Sequence, residues 1–455
     1  MMNWSPDKMD NGKPRYLAIA DAIARDIQAA RLSGGDRLPP QRKLAARLGI
    51  DFTTVSRAYA EAQKRGLVES HVGRGTFIAG QSVRAGPDPL RQRDEDLSMN
   101  MPPEPTDPDL LKRMRDGLGY VSANLIDLLR YQAPVGTERD RATASSWLSL
   151  RGMVPNLERV AVTPGAHATM AAIFSLLTQP GDRILCEQIT YPGLRNIAGR
   201  FGVTLIGVEM DEQGVLPEAL AEAIRLHAPK ALYLNPTLHN PTTLTIPEGR
   251  RLDLAEVLRR HRLPLIEDDA YGFIPAKAPP PMALLLPDLT WHIGGLAKCI
   301  GAGLRLAYTV APSAKAAYQL GQAIRALSVM PSPLSMALTT QWVEDGTADS
   351  IRRFIRAETS ARQNIAHEAL EGFVFQSSQN AFNIWLTLPE GMGRADIVAR
   401  MAGRQLGLMP ADAFTVSGEP KDMLRICLGG SITRETLREN LYFLANTLSP
   451  HAYMG

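Results

Sequence analysis

Apolar residues recur every three or four positions across residues 14–32, where Leu17, Ile19, Ala20, Ile23, Ala24 and Ile27 form one stripe. That period predicts an amphipathic helix, and Ser33-Gly34-Gly35 stops it. A second, short helix is predicted over Leu38–Gly49, with proline at its start and glycine at its end. Asp51 is a suitable N-cap for a third helix, Phe52–Arg65, which Gly66 closes. Val55, Ala58, Tyr59 and Ala62 make its inward stripe; Thr53, Arg57 and Lys64 face elsewhere, and no core needs them. Leu67–Ser70 and Thr76–Ala79 flank Val72-Gly73-Arg74-Gly75, a hairpin signal with glycines at the turn. Three helices followed by a glycine-tipped hairpin, over residues 1–79, predict a winged helix-turn-helix. Its third helix is placed to lie in a DNA major groove.

The pattern then changes. Residues 80–108 are aperiodic, polar and proline-rich, which predicts a linker. From 109 to 455 short apolar runs alternate with helical stretches. Strands are predicted at Val160–Val162, Arg183–Cys186, Thr204–Val208, Ala231–Leu234, Pro264–Glu267 and Leu306–Val310, with helices at 166–178, 216–227 and 246–261. This order predicts an α/β fold with a mostly parallel sheet covered on both faces. Residues 350–455, with strand candidates at Ala381–Leu386 and Met423–Cys427, read as a smaller α+β lobe.

Composition narrows the classes. A chain of 455 residues with 45% hydrophobic residues supports two or three domains and a large core. No apolar run is long enough to span a membrane, and the N-terminus lacks the apolar stretch of a signal peptide. Cys186, Cys299 and Cys427 are odd in number and far apart, so neither a disulfide framework nor a metal site is expected, and a reducing cytoplasm fits. The net charge of +3 is unevenly placed: residues 1–80 carry 13 Lys/Arg against 8 Asp/Glu. A basic small domain on a near-neutral large one suggests a polyanion partner for the small one.

Candidate chemistry gathers at predicted strand ends. In Thr290–Arg305 an apolar run ends in small residues, then Lys298, a glycine-rich turn and Arg305. A lysine withdrawn from water among alkyl groups loses its charge more readily and becomes a nucleophilic amine. Such an amine forms a Schiff base with an aldehyde cofactor such as pyridoxal phosphate. Thr163-Pro-Gly165-Ala166-His167 opens a helix after a strand, which makes an anion site. Tyr191 offers a flat face, Asn240 a donor to a phenolic oxygen, and the acid run Glu267-Asp268-Asp269 a carboxylate for a protonated pyridine nitrogen. Taken singly, each of these is more often a turn, a cap or a surface acid. All five follow strands, where open α/β sheets bind ligands.

Two resemblances follow from these motifs. Leu38-Pro39, Arg42, Leu44-Ala45, Thr54-Val55 and Gly73-Arg74-Gly75-Thr76 resemble the GntR family of bacterial regulators, with Pro40 where that family usually has serine. The resemblance implies DNA contacts from Arg42, Arg47, Thr53, Thr54, Arg57 and Arg74: phosphates for Arg42 and Arg47, base edges for Thr53 and Arg57. Residues 109–450 resemble fold-type I pyridoxal-phosphate aminotransferases. That implies Lys298 as the Schiff-base lysine and Asp268 as partner of the ring nitrogen. Asn240 and Tyr271 would hold the ring hydroxyl, and Tyr191 the ring face. Gly165, Ala166, His167 and Arg305 would hold the phosphate, Arg425 a substrate carboxylate, and Tyr131 the phosphate of a neighbouring subunit in a homodimer. Gly295, Thr243 and His167 depart from that family's usual residues. The two halves together resemble the MocR family of regulators, which implies a DNA-binding protein that senses pyridoxal phosphate or an amino compound. A working aminotransferase carrying a DNA-binding tail is the alternative.

Overall fold

A computed structural model describes residues 4–6, 12–29, 31–71, 75–79 and 97–449. The chain divides into two compact units, Met1–Asp94 and Glu95–Gly455.

In the first unit, α1 (Arg15–Gln28), α2 (Gln41–Leu48) and α3 (Phe52–Lys64) precede the antiparallel pair β1 (Val68–His71) and β2 (Gly75–Ile78). The helices pack through Ile19, Ile23, Leu44, Val55 and Ala58, all shielded from water. Gly49 closes α2 in the left-handed region, at φ 61°, where a side chain would be strained. Asp51 caps α3 by accepting the Thr53 amide at 2.7 Å. The first helix ends at Gln28, short of the expected 32. The Asp26 carbonyl accepts the amides of both Arg31 and Leu32, which tightens the chain and turns Leu32 back into the core. The Asp26 carboxylate fixes this turn, accepting from the Trp4 indole at 2.7 Å and from Arg31 at 2.5 Å.

In the second unit, β3 (Val160–Thr163) leads into α4 (Ala166–Leu177). Then come β4 (Arg183–Glu187), β5 (Thr204–Val208), β6 (Ala231–Leu234), α5 (Glu248–His261), β7 (Leu265–Asp268), β8 (Thr290–Gly295) and β9 (Ala307–Val310). They form a seven-stranded sheet in the order β3-β9-β8-β7-β6-β4-β5. Only β9 runs against its neighbours. The central strands are buried on both faces, as in parallel sheets covered by helices. A long helix, α6 (Thr347–Ala369), leads to the small lobe, where β10 (Phe375–Gln376), β11 (Asn383–Thr387), β12 (Leu408–Pro410) and β13 (Met423–Cys427) form an antiparallel sheet in the order β10-β11-β13-β12. Among the described residues no helix is long and apolar enough to cross a membrane.

The expected linker needs correction at its C-terminal end. Residues 80–96 lie outside the described residues, but 97–107 belong to the second unit. Asn100, Pro102 and Pro103 are buried, the Gly430 amide donates to the Pro102 carbonyl at 3.1 Å, and Pro103 bridges to Gly430. Proline density makes this stretch read as a spacer, whereas the small lobe supplies partners for its backbone.

Candidate functional site

The strand order brings the C-terminal ends of β3, β4, β6, β7 and β8 to one edge of the large sheet, and the small lobe adds β13 from the other side. Between them lies a cavity of about 540 Å³ lined by Gly165, Ala166, His167, Tyr191, Asn240, Asp268, Tyr271, Lys298, Arg305 and Arg425. Ten residues predicted from sequence thus meet in one place. Tyr131 does not: its side chain is 86% exposed, outside the cavity.

Lys298 follows β8 by one turn. It is half-buried, donates to the Asn100 carbonyl, and lies 6.0 Å from the centre of the Tyr271 ring. Burial lowers its pKa from the usual lysine value to about 8, so a substantial share is neutral amine just above neutral pH. Its rate of condensation with an aldehyde is expected to rise about tenfold per pH unit below 8 and to level off above, because only the neutral amine attacks. Rates of borohydride-trapped attachment measured from pH 6 to 10 check this; a rise that continues unbroken to pH 10 would contradict it.

Asp268 ends β7 and is buried. Its Oδ2 accepts from the Tyr233 hydroxyl at 2.9 Å, and its carbonyl accepts from Asn235 Nδ2 at 2.7 Å. Among the described residues Oδ1 has no hydrogen-bond partner. Burial raises the Asp268 pKa to about 6, against the opposing pull of the Tyr233 hydrogen bond. A cationic N–H donor in the cavity would satisfy Oδ1 and favour the ionised form.

The loop after β6 is pinned from several sides. Asn235 Oδ1 accepts the Asn240 amide at 2.9 Å, and Asn240 precedes a cis proline, Pro241. Asn240 Oδ1 accepts from Arg425 Nη1 at 3.3 Å. Arg425 is buried on β13, its guanidinium 5.3 Å from the Phe414 ring centre, and its Nη2 donates to the Ser98 carbonyl. Tyr271 packs edge-on against Phe382 at 5.7 Å. The Tyr191 ring lies over Gly193, where any Cβ would overlap it. Gly165 caps α4 at φ 87°, and a Cβ there would lie 3.4 Å from Arg305. Glycine thus serves both the backbone turn and the close approach of arginine. The amides at the start of α4, beside Arg305, are of the kind that can hold an anion.

Four residues that sequence reading did not assign contribute here: Tyr233, Asn235, Ser98 and Asn100. Tyr233 and Asn235 share a face with period two on β6 and its extension, a signal present in the sequence. Ser98 and Asn100 carry no such signal, since they arrive from an aperiodic stretch.

In the first unit, Arg42 on α2 and Thr53 and Arg57 on α3 are exposed, and Thr54 is half-buried. The Arg42 guanidinium lies 5.9 Å from the Phe52 ring centre, and that of Arg57 lies 4.8 Å from the Tyr16 ring centre. The Thr53 hydroxyl donates to Asp51 at 2.5 Å. Arg47 is exposed and donates to the Trp4 carbonyl at 3.4 Å, so its side chain also braces the N-terminal segment. Arg74 lies outside the described residues.

Comparison with known proteins is decisive for the larger unit. The family model for aminotransferase class I and II matches residues 95–443. The chain belongs to the aminotransferase class I and II family. The model for bacterial regulatory proteins of the gntR family matches residues 15–78, and the fusion of the two makes the chain a MocR-type transcriptional regulator. This regulator is similar to the uncharacterized HTH-type transcriptional regulator YdeF of Bacillus subtilis, at 27% identity over 98% of this chain and 97% of that protein. It is also similar to the vitamin B6 salvage pathway transcriptional repressor PtsJ of Salmonella typhimurium, at 29% identity over 90% of this chain and 93% of that protein. Among solved structures, LysN, an alpha-aminoadipate aminotransferase from Thermus thermophilus, shares its fold. The TM-score is 0.70 at 21% identity, covering 77% of this chain and 91% of that one.

Proposed function

We propose that the regulator holds pyridoxal phosphate in the cavity and uses it to sense an amino compound, while α2, α3 and the wing bind operator DNA. The observation that carries the cofactor reading is the buried, unpartnered Oδ1 of Asp268 in the cavity that also holds the lowered-pKa Lys298. When bound, the cofactor supplies an aldehyde and an electron-accepting ring.

The chain's own residues divide the remaining work. Asp268 holds the ring nitrogen, and Tyr233 and Asn235 keep Asp268 in place. Tyr271 and Asn240 hold the phenolic oxygen, and Tyr191 covers a ring face. Gly165, Ala166, His167 and Arg305 take the phosphate, with Arg305 a fixed cation suited to that dianion. Lys298 makes the covalent link. Arg425 takes the carboxylate of the incoming compound. The exposed Tyr131 reaches the phosphate of a second copy in a homodimer. The role of PtsJ as a repressor of vitamin B6 salvage supports a link between this architecture and the same vitamin.

On the DNA side, Arg42 and Arg47 hold phosphates, Thr53 and Arg57 approach base edges, and Thr54 and Arg74 complete the contact set. Arg57→Ala is expected to weaken operator binding by about 1–3 kcal/mol, without unfolding the domain, because the side chain is exposed. Titration on the DNA upstream of the regulator's own gene checks this; unchanged affinity removes Arg57 from the contact set. The function itself is tested by the same titration with and without pyridoxal phosphate and an amino acid. Specific binding that shifts with them supports the sensor. Sustained turnover of amino and keto acid pairs with no specific DNA binding would overturn it.

A further inference from the structure

Residues 97–103 form a strap seated on the small lobe. A Cβ at Gly407 would overlap the Leu97 carbonyl, and one at Gly429 would overlap the Met101 carbonyl. Neither glycine is in the left-handed region, so what each provides is room for the strap. Between these two seats the strap enters the cavity, which Ser98, Met99 and Asn100 line. Its main chain accepts from two cationic side chains: the Ser98 carbonyl from Arg425 Nη2, and the Asn100 carbonyl from Lys298 Nζ. The Asn100 side chain locks in as well. Its Nδ2 donates to the Tyr271 hydroxyl at 3.0 Å and to Asn383 Oδ1 at 3.0 Å, while Asn383 Nδ2 donates to the Pro241 carbonyl at 2.7 Å. Asn383 is thereby fixed with its oxygen toward Asn100, which sets the Asn100 amide the same way round.

We propose that the strap Leu97–Met101 is a built-in competitor for the carboxylate position at Arg425, and that a ligand displaces it only if it carries a carboxylate. The inference rests on the cofactor reading above. The Arg425 fork donates on one side to Asn240 and on the other to a neutral main-chain carbonyl. A carboxylate accepts from a guanidinium with two charge-assisted bonds, each stronger than a bond to a neutral carbonyl. It therefore displaces Ser98. The Lys298 contact discriminates less. Condensation of the Lys298 amine with an aldehyde forms C=N and releases water, which takes hydrogens from that nitrogen. An amine that exchanges into the C=N bond returns Lys298 as a primary amine, free to donate to Asn100 again. Arg425 cannot return to Ser98 while a carboxylate occupies it.

The test is hydrogen exchange of the strap amides in the full chain with two stable, unreactive probes, N-(5'-phosphopyridoxyl)-L-alanine and N-(5'-phosphopyridoxyl)-ethylamine, which differ by one carboxylate. Binding of each is followed separately by calorimetry. Strap exchange is expected to rise at least tenfold with the alanine conjugate and to stay near the unliganded rate with the ethylamine conjugate. Equal strap exchange with both, at shown saturation, overturns the proposal and leaves the cofactor reading standing. Failure of both conjugates to bind overturns the cofactor reading and the proposal with it. Gly429→Ala, outside the cavity, should free the strap without ligand and tighten the alanine conjugate several-fold. Tightening of the ethylamine conjugate by the same factor would count against competition at Arg425.

Discussion

Replacing Lys298 by alanine is expected to abolish the proposed covalent attachment of pyridoxal phosphate while the protein stays folded. The side chain follows a buried strand and its amine makes one hydrogen bond among the described residues, to the Asn100 carbonyl. Burial already disfavours its charge, so losing the amine removes a destabilised cation along with one hydrogen bond. The two nearly offset, and unfolding stability is expected to stay within about 1 kcal/mol of the parent. Attachment, by contrast, is expected to fall from one per chain to none, because among the described residues no other lysine lines the cavity. Borohydride reduction followed by peptide mass analysis reads this out. A reduced adduct at equal stoichiometry on another lysine would overturn the assignment of Lys298.

Arg251→Met is expected to cost about 2–4 kcal/mol of stability. Arg251 lies on α5 with its side chain wholly buried. Its guanidinium donates to the carbonyls of Ile246 at 2.9 Å, Pro280 at 2.9 Å and Pro236 at 2.8 Å, and to the Thr237 hydroxyl at 3.0 Å. Methionine fills much of the volume and takes this donor from the Ile246 and Pro280 carbonyls, while the Pro236 carbonyl keeps the Ile246 amide at 2.9 Å. The same bonds tie down both ends of the loop that carries Asn240, so weaker cofactor binding should accompany the loss of stability. Denaturant midpoints at unchanged slope measure the first effect and cofactor titration the second. A midpoint shift equivalent to less than 1 kcal/mol would mean that water re-enters and replaces the donors.

Much of this architecture is legible in the chain because local signals and global fold agree. The alternation of apolar runs and helical stretches places the sheet strands within a residue or two, since strands buried on both faces must be apolar throughout. Glycines 49 and 165 mark real left-handed positions. Lys298, Asp268 and Asn240 stand out because each follows a strand, and strand ends share one edge. What stays hidden is contact made by long-range packing. Ser98 and Asn100 come from a stretch whose composition says spacer, and only the small lobe, about three hundred residues later in the chain, gives them partners. The early end of α1 is similar: it depends on Asp26 taking up Trp4 and Arg31 together, which no helical period encodes. Tyr131 is legible as a motif, yet it lies exposed outside the cavity, and its proposed role would need a second copy of the chain.

The unpartnered oxygen of Asp268 has a consequence for how long the protein survives. A folded chain that buries an acceptor without a donor is less stable than the same chain with the donor supplied. A ligand that fills this position binds the folded state and not the unfolded one, so it adds about 2.7 kcal/mol when present at a hundred times its dissociation constant. The unfolded fraction open to proteases then falls about a hundredfold. A cell short of such a ligand would hold less of the regulator as well as an emptier one, and supply would set the amount of the protein together with its occupancy.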